Sequence, residues 1–191
     1  FKNKIPYFKK YINLQKNDLV IDIGSNDGTF LSFFNKKLNL VGVDPTISKF
    51  KKYYKKHIRL VPDFFSYEKV AKEVHKKKAK LITSIAMFYD LENPIKFASD
   101  IYKTLSDDGI WHLEQSYLPS MINNFSYDTI CHEHIEYYSL KSIKYIIEKA
   151  NLKILDVKFN NINGGSFSLT VAKKNSQLMP NKNIINWLLY R

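Results

Sequence analysis

The densest run of reactive side chains is Asp128-Thr-Ile-Cys-His-Glu-His-Ile-Glu-Tyr-Tyr138. It holds two of the five histidines, the single cysteine and two glutamates. Several chemistries can be built from it. Cys131, His132 and His134 are zinc-type ligands, but Cys-His-Glu-His has no matching second half to complete a tetrahedral set. Cys131 beside a histidine is a nucleophile pair only if the partners meet in space, and adjacency in sequence does not ensure that. Glu133 and His134 together suit general acid/base work, because an imidazole exchanges a proton near neutral pH, with His132 as support. The remaining alternative is a polar loop that only shapes a pocket.

A second constellation lies near the N-terminus. The apolar run Asp18-Leu-Val-Ile-Asp-Ile23 passes into Gly24-Ser-Asn-Asp-Gly28 and then into Thr29-Phe-Leu-Ser-Phe-Phe34. A strand, a glycine turn and a helix start bring backbone N–H groups close to a ligand with little side-chain bulk. The run Leu38-Asn-Leu-Val-Gly-Val-Asp44 ends in a carboxylate. In nucleotide-binding doubly wound folds, an acidic residue about 20 positions past the glycines bonds ribose hydroxyls. The turn is not G-x-G-x-x-G, so a nicotinamide or flavin dinucleotide fits it poorly.

These groups need a scaffold that presents both at one edge. Apolar runs at 19–23, 40–43, 58–61, 80–84 and 109–114 read as strands. Segments 29–37, 47–56, 67–77 and 94–105 between them read as helices. Such alternation predicts right-handed βαβ units in a parallel sheet. Asp107-Asp-Gly109 reads as a turn before the fifth strand. Beyond Ser116 the pattern loses periodicity until Ser139, an N-cap for a helix at 139–149. Strands at 152–159 and 166–172, joined through Asn160-Asn-Ile-Asn-Gly-Gly165, form a hairpin-like pair. The expected fold is therefore α/β, a Rossmann-like doubly wound sheet of seven strands, mostly parallel with an antiparallel final strand. A short helix is expected at 182–191.

The chain has 191 residues, 45% of them hydrophobic, which suits one domain with one core. No apolar run approaches the roughly 20 residues that span a bilayer. A lone cysteine suits a reducing cytoplasm. The chain starts at Phe1 without an initiator Met, and residues 1–191 are read as a segment of a longer protein. The net charge is +12. Its lysines cluster in helical stretches such as Lys51-Lys-Tyr-Tyr-Lys-Lys56, which read as solvated faces rather than as a nucleic-acid surface.

Asp-x-Gly-x-x-x-Gly with Asp44 behind it resembles the cofactor site of class I S-adenosylmethionine (SAM) methyltransferases. Val20-Ile-Asp-Ile-Gly-Ser-Asn-Asp-Gly-Thr29, the His-Glu-His run and Asn163-Gly-Gly-Ser166 occur in that order. Together they resemble the SAM-binding middle domain of the sugar C-methyltransferase family, over roughly residues 19–172. The resemblance implies SAM as cofactor, a nucleotide-linked keto-deoxysugar as acceptor, and Glu133 and His134 as the catalytic pair, with no metal. It assigns Asp22, Gly24, Ser25, Asn26 and Gly28 to the methionine end of the cofactor and Asp44 to its ribose. Asp63 and Phe64 are candidates for the adenine, and Ser84 for the cofactor's flank. Glu114, Tyr117, His132 and Tyr137 are candidates for the acceptor. The family often has tyrosine before His-Glu-His, where this chain has Cys131. It also often has a histidine after the fourth strand, where this chain reads Ser84-Ile-Ala-Met-Phe-Tyr-Asp90. A sugar O-methyltransferase, an RNA methyltransferase and a non-catalytic SAM-binding domain are the alternatives. An Asn/Asp-Pro-Pro-aromatic signature expected of base methyltransferases is missing after the fourth strand.

Overall fold

The computed structural model describes residues 2–181 and Ile184; the helix expected at 182–191 lies outside the described residues. Seven strands form one sheet: β1 (Leu19–Ile23), β2 (Asn39–Val43), β3 (Ile58–Val61), β4 (Ala79–Ile85), β5 (Leu105–Ser116), β6 (Leu152–Asn160) and β7 (Ser166–Lys173). Their order is β3-β2-β1-β4-β5-β7-β6. The first five run parallel, and β7 lies antiparallel between β5 and β6. Chain order reverses direction between β1 and β4, the place where open α/β sheets leave a crevice at their carboxyl ends.

All five residues of β1 are buried, as a strand covered on both faces requires. One face carries α3 (Tyr67–Glu73), α4 (Pro94–Thr104) and α6 (Leu140–Lys149), which bury Val70, Phe97, Ile101, Ile143 and Ile147 against Ile82, Trp111 and Leu169. Each fully buried aliphatic side chain there contributes ~1.5–3 kcal/mol. The opposite face carries α1 (Lys4–Phe8) and the Phe30–Phe34 turn, packed on Val20, Leu40, Leu81 and Ile110. Helix starts follow from local chemistry. The Asn93 side chain accepts from the Lys96 N–H at 2.9 Å, with Pro94 in the first turn. Ser139 and Ser142 exchange side-chain and backbone bonds in a reciprocal cap on α6.

Four expectations from sequence are corrected. Residues 29–37 do not form a helix; they give one 3-10 turn at Leu31–Phe33, after which Phe34 is extended. Local bonds compete with the helix here. The Asp27 carboxylate takes the Thr29 N–H, the Ser32 hydroxyl donates to the Thr29 carbonyl, and the Asn35 side chain takes the Lys37 N–H. Residues 47–56 shorten to α2 (Ile47–Phe50) and a 3-10 turn at Lys51–Tyr53, because Tyr54 swings out to bond the glycine turn. α3 ends at Glu73, since His75 and Lys76 both adopt positive φ. The turn expected at Asp107-Asp-Gly109 is absorbed into β5 as an irregularity opposite Ala79–Leu81. It is flanked by ion pairs of Asp107 with Lys173 and Asp108 with Lys80. Among the described residues no helix is long and apolar enough to cross a membrane.

Candidate active site

At the carboxyl ends of β1, β2 and β4 lies a cavity of about 940 Å³, within the usual range for small-molecule sites. Asp22, Gly24, Ser25, Asn26, Asp44, Asp63 and Phe64 line it, so seven of the expected cofactor residues share one space. Gly24 holds φ +72, and a Cβ there would come within 3.0 Å of the Met87 side chain, which also lines the cavity. Asn26 sits at φ 49, a left-handed conformation that asparagine tolerates.

The two central carboxylates are built differently. Asp22 is fully buried, and burial pushes its carboxyl up to about 7, despite a 2.6 Å bond donated by Thr83 Oγ1; the nearby Asp44 charge adds to the rise. Asp44 is buried too, but well bonded. Its Oδ2 accepts from the Asn26 N–H at 2.9 Å, and its Oδ1 from the Thr46 N–H at 2.7 Å and the Thr46 hydroxyl at 2.5 Å. Asp44 thus holds the glycine turn in shape as well as facing the cavity.

Six lining residues are acidic: Asp22, Asp27, Asp44, Asp63, Asp90 and Glu92. Lysine, arginine and histidine are absent from the lining among the described residues. In a chain of net charge +12, this concentration of negative charge favours a cationic ligand and opposes a pyrophosphate. The lining therefore fits a sulfonium-bearing nucleoside. Asp22, Gly24, Ser25, Asn26 and Asp44 would hold its amino acid and ribose ends. Phe64, 73% exposed, and Asp63, ion-paired at 2.7 Å to Lys69, flank the outer end.

Two expected cofactor residues do not line the cavity. Ser84 is buried and its hydroxyl accepts the Trp111 indole N–H at 2.9 Å; the residues that reach the cavity are the next three, Ile85, Ala86 and Met87. Gly28 makes room for a protein side chain instead, because a Cβ there would fall 2.4 Å from the Tyr54 ring.

The His-Glu-His run packs at the same carboxyl edge. It is reached from β5 through α5 (Leu118–Asn123) and a 3-10 turn at Tyr127–Thr129. The Glu136 N–H donates to the Tyr89 carbonyl at 3.1 Å, and the Leu118 N–H to the Tyr138 carbonyl at 3.0 Å. The His134 ring packs on Tyr89 with centroids 4.2 Å apart, beside Asp90 in the cavity wall. His134 Nδ1 lies 2.7 Å from the Thr129 carbonyl oxygen. A carbonyl only accepts, so Nδ1 carries a proton, and in the neutral imidazole the lone pair is then on Nε2.

The bond that orients the His134 ring comes from the Thr129 carbonyl and not from Glu133. Glu133 is exposed, and its carboxyl is held below the usual range by its own backbone N–H and then by Cys131. His132 is exposed. Glu114 and Tyr117, expected at the acceptor, have protein partners away from the cavity lining. Glu114 is buried in an ion pair with Lys4 of α1. Tyr117 packs between Phe159 and Phe167 at 5.0 and 5.2 Å. The Tyr137 hydroxyl is buried and has no hydrogen-bond partner among the described residues. His112 is a core residue, its imidazole pushed down to about 3 by burial between Tyr7 and Phe8. Among the described residues no cluster of three His, Cys, Asp or Glu side chains is placed to hold a metal. Tyr54, Tyr89, Asp90 and Glu92 were not singled out in the sequence, and only the side-chain directions of the folded chain bring them to the site.

Residues 3–157 match a family described as methyltransferase domain. The chain is 30% identical over 164 residues to C-methyltransferase NovU of Streptomyces niveus. That match covers 84% of this chain and 39% of the relative, so the chain spans well under half the relative's length. Among solved structures, a putative methyltransferase from Bacillus halodurans aligns with a TM-score of 0.66 at 12% identity, covering 94% of this chain and 100% of that one. The plantazolicin methyltransferase BpumL, solved with SAH and a triazolic desmethylPZN analog, aligns with a TM-score of 0.65 at 14% identity, covering 90% of this chain and 83% of that one. At these identities the two structures show a shared fold.

Proposed function

We propose that this chain, which belongs to the methyltransferase-domain family, is the SAM-binding part of an enzyme that methylates a carbon of a nucleotide-linked keto-deoxysugar, with His134 as general base. When bound, SAM supplies a methyl group already activated by its sulfonium. The rest falls to the protein. The glycine turn, Asp22 and Asp44 bind and orient the cofactor. His134 Nε2 takes a proton from the carbon beside the acceptor's ketone, leaving that bonding pair as an enolate. Nδ1, bonded to the Thr129 carbonyl, keeps the imidazole in the tautomer that can accept the proton. Glu133 is an ionised carboxylate beside the imidazolium so formed.

The observation that carries this reading is a histidine held in its basic tautomer at the rim of an acidic, nucleoside-sized cavity. The name of the 30% relative, a C-methyltransferase, supports carbon as the acceptor atom. A methyl-transfer assay with a nucleotide-linked 4-keto-deoxysugar tests it. The expected product carries the new methyl on carbon next to the ketone. Methylation at a hydroxyl oxygen, or of RNA, would overturn it.

Asp22 makes cofactor binding pH-dependent. Its carboxyl is raised from 3.8 to about 7 in the folded chain, chiefly by burial. The folded state therefore holds this proton more tightly than the unfolded chain. The stability it contributes is full below about pH 4 and is lost as pH rises through about 7. A cationic ligand favours the ionised form, so SAM affinity rises as pH climbs through about 7 and binding there releases a proton. Calorimetry in buffers of different ionisation enthalpy should detect that proton, and Asp22→Asn should abolish it.

A further inference from the structure

The glycine turn lacks the helix that normally follows such a turn, yet its Ser25 is buried and its geometry is tight. What braces it comes from elsewhere in the chain. Tyr54, at the end of the 3-10 turn before β3, reaches back 28 residues so that its hydroxyl donates to the Asn26 carbonyl at 2.8 Å. The same oxygen lies 2.7 Å from Ser25 Oγ. The neighbouring Lys55 ammonium donates to the Ser32 carbonyl at 2.7 Å. The Tyr54 ring occupies space that two glycines leave open: a Cβ on Gly28 would lie 2.4 Å from it, and one on Gly42 3.0 Å.

The hydrogen count decides what this brace does. A phenol has one proton, and a carbonyl can only accept, so the Tyr54 proton goes to Asn26. Ser25 must then donate its own proton to the Tyr54 oxygen. With that proton committed, the Ser25 hydroxyl can only accept from anything in the cavity. Asp44 beside it accepts as well, and so does Asp22 once a cationic group has displaced its proton. Burial pushes the Tyr54 phenol up to about 12, so it remains a donor at neutral pH.

We propose that Tyr54 is a positioning residue of the cofactor site, which fixes Ser25 as a hydrogen-bond acceptor and so completes an all-acceptor subsite for a ligand ammonium group. This rests on the cofactor reading above. Because the effect is confined to the amino acid end of the ligand, it separates from general loosening of the turn.

The test uses two probes on the chain. S-adenosylhomocysteine (SAH) carries the ammonium; 5′-methylthioadenosine has the same nucleoside thioether without the amino acid end. In Tyr54→Phe, SAH affinity should fall roughly 3- to 10-fold, the effect of losing one or two hydrogen bonds. Methylthioadenosine affinity should change by less than about 2-fold. Ser25→Ala, which breaks the relay from its other end, should reproduce the selective loss and decides the matter if Tyr54→Phe proves unstable. Tyr53→Phe, altering an exposed neighbour, should change neither affinity. Unchanged SAH affinity in both relay variants would overturn the proposal, as would equal losses for the two probes. If the wild-type chain bound neither probe, the cofactor reading itself would fail.

Discussion

Replacing His134 with glutamine or asparagine is expected to lower turnover by ~10²–10⁴-fold, the usual contribution of a general base, while SAH affinity stays within about 2-fold. The split follows from position. His134 is outside the cavity lining and packs on Tyr89 at its rim, so a cofactor held at the glycine turn does not need it. The orienting bond comes from a main-chain carbonyl, which no side-chain change removes. A more direct measurement is exchange of the acceptor's hydrogen beside the ketone in D₂O with SAH bound. The wild-type protein should exchange it and the His134 variant should not. Wild-type exchange in the variant would remove His134 from the proton-transfer step and leave this loop as a wall of the pocket.

Glu133→Gln probes a weaker interaction. Glu133 is exposed and its carboxylate is held by its own backbone N–H and by Cys131, so it acts on His134 through charge across solvent. Its effect should be smaller than that of His134, in contrast to the equal partnership implied by the family resemblance.

The strands were legible because apolar runs such as 19–23 and 40–43 have no place except a sheet covered on both faces. Asp44 stood out as the carboxylate that ends the run after the glycine turn, and Asp22 as the head of Asp-x-Gly-x-x-x-Gly. The connections were less legible. Lysine and phenylalanine at helical spacing in 29–37 and 47–56 satisfy the helix pattern, but Asx-type bonds and the reach of Tyr54 win locally. Ser84 shows the limit within a strand. A shift of one residue moves a side chain to the other face of the sheet. Ser84 therefore meets Trp111 in the core, and the chain turns into the cavity one residue later at Ile85. Tyr54 carries no signal in the sequence at all; it sits among lysines and earns its role only when Gly28 and Gly42 leave a slot for its ring.

Asp44→Ala should weaken SAH binding by ~1–3 kcal/mol, the cost of losing hydrogen bonds to a charged group, which is a factor of roughly 5 to 150 in affinity. Two causes contribute and can be separated. One is loss of the carboxylate that would meet the ribose hydroxyls. The other is loss of three native bonds, one of which holds Asn26 in its left-handed conformation. Asp44→Asn distinguishes them poorly. Oδ1 and Oδ2 each accept from a backbone N–H, so either orientation of the amide sets an NH₂ group against a donor. The informative comparison is SAH against its 3′-deoxy analogue, in wild-type and Asp44→Ala proteins. If Asp44 holds the ribose, removing the hydroxyl weakens binding to the wild-type chain but has little further effect in the variant. Deoxygenation losses that are equal in both proteins would mean that Asp44 only shapes the turn, and the ribose contact would have to be sought elsewhere in the cavity wall.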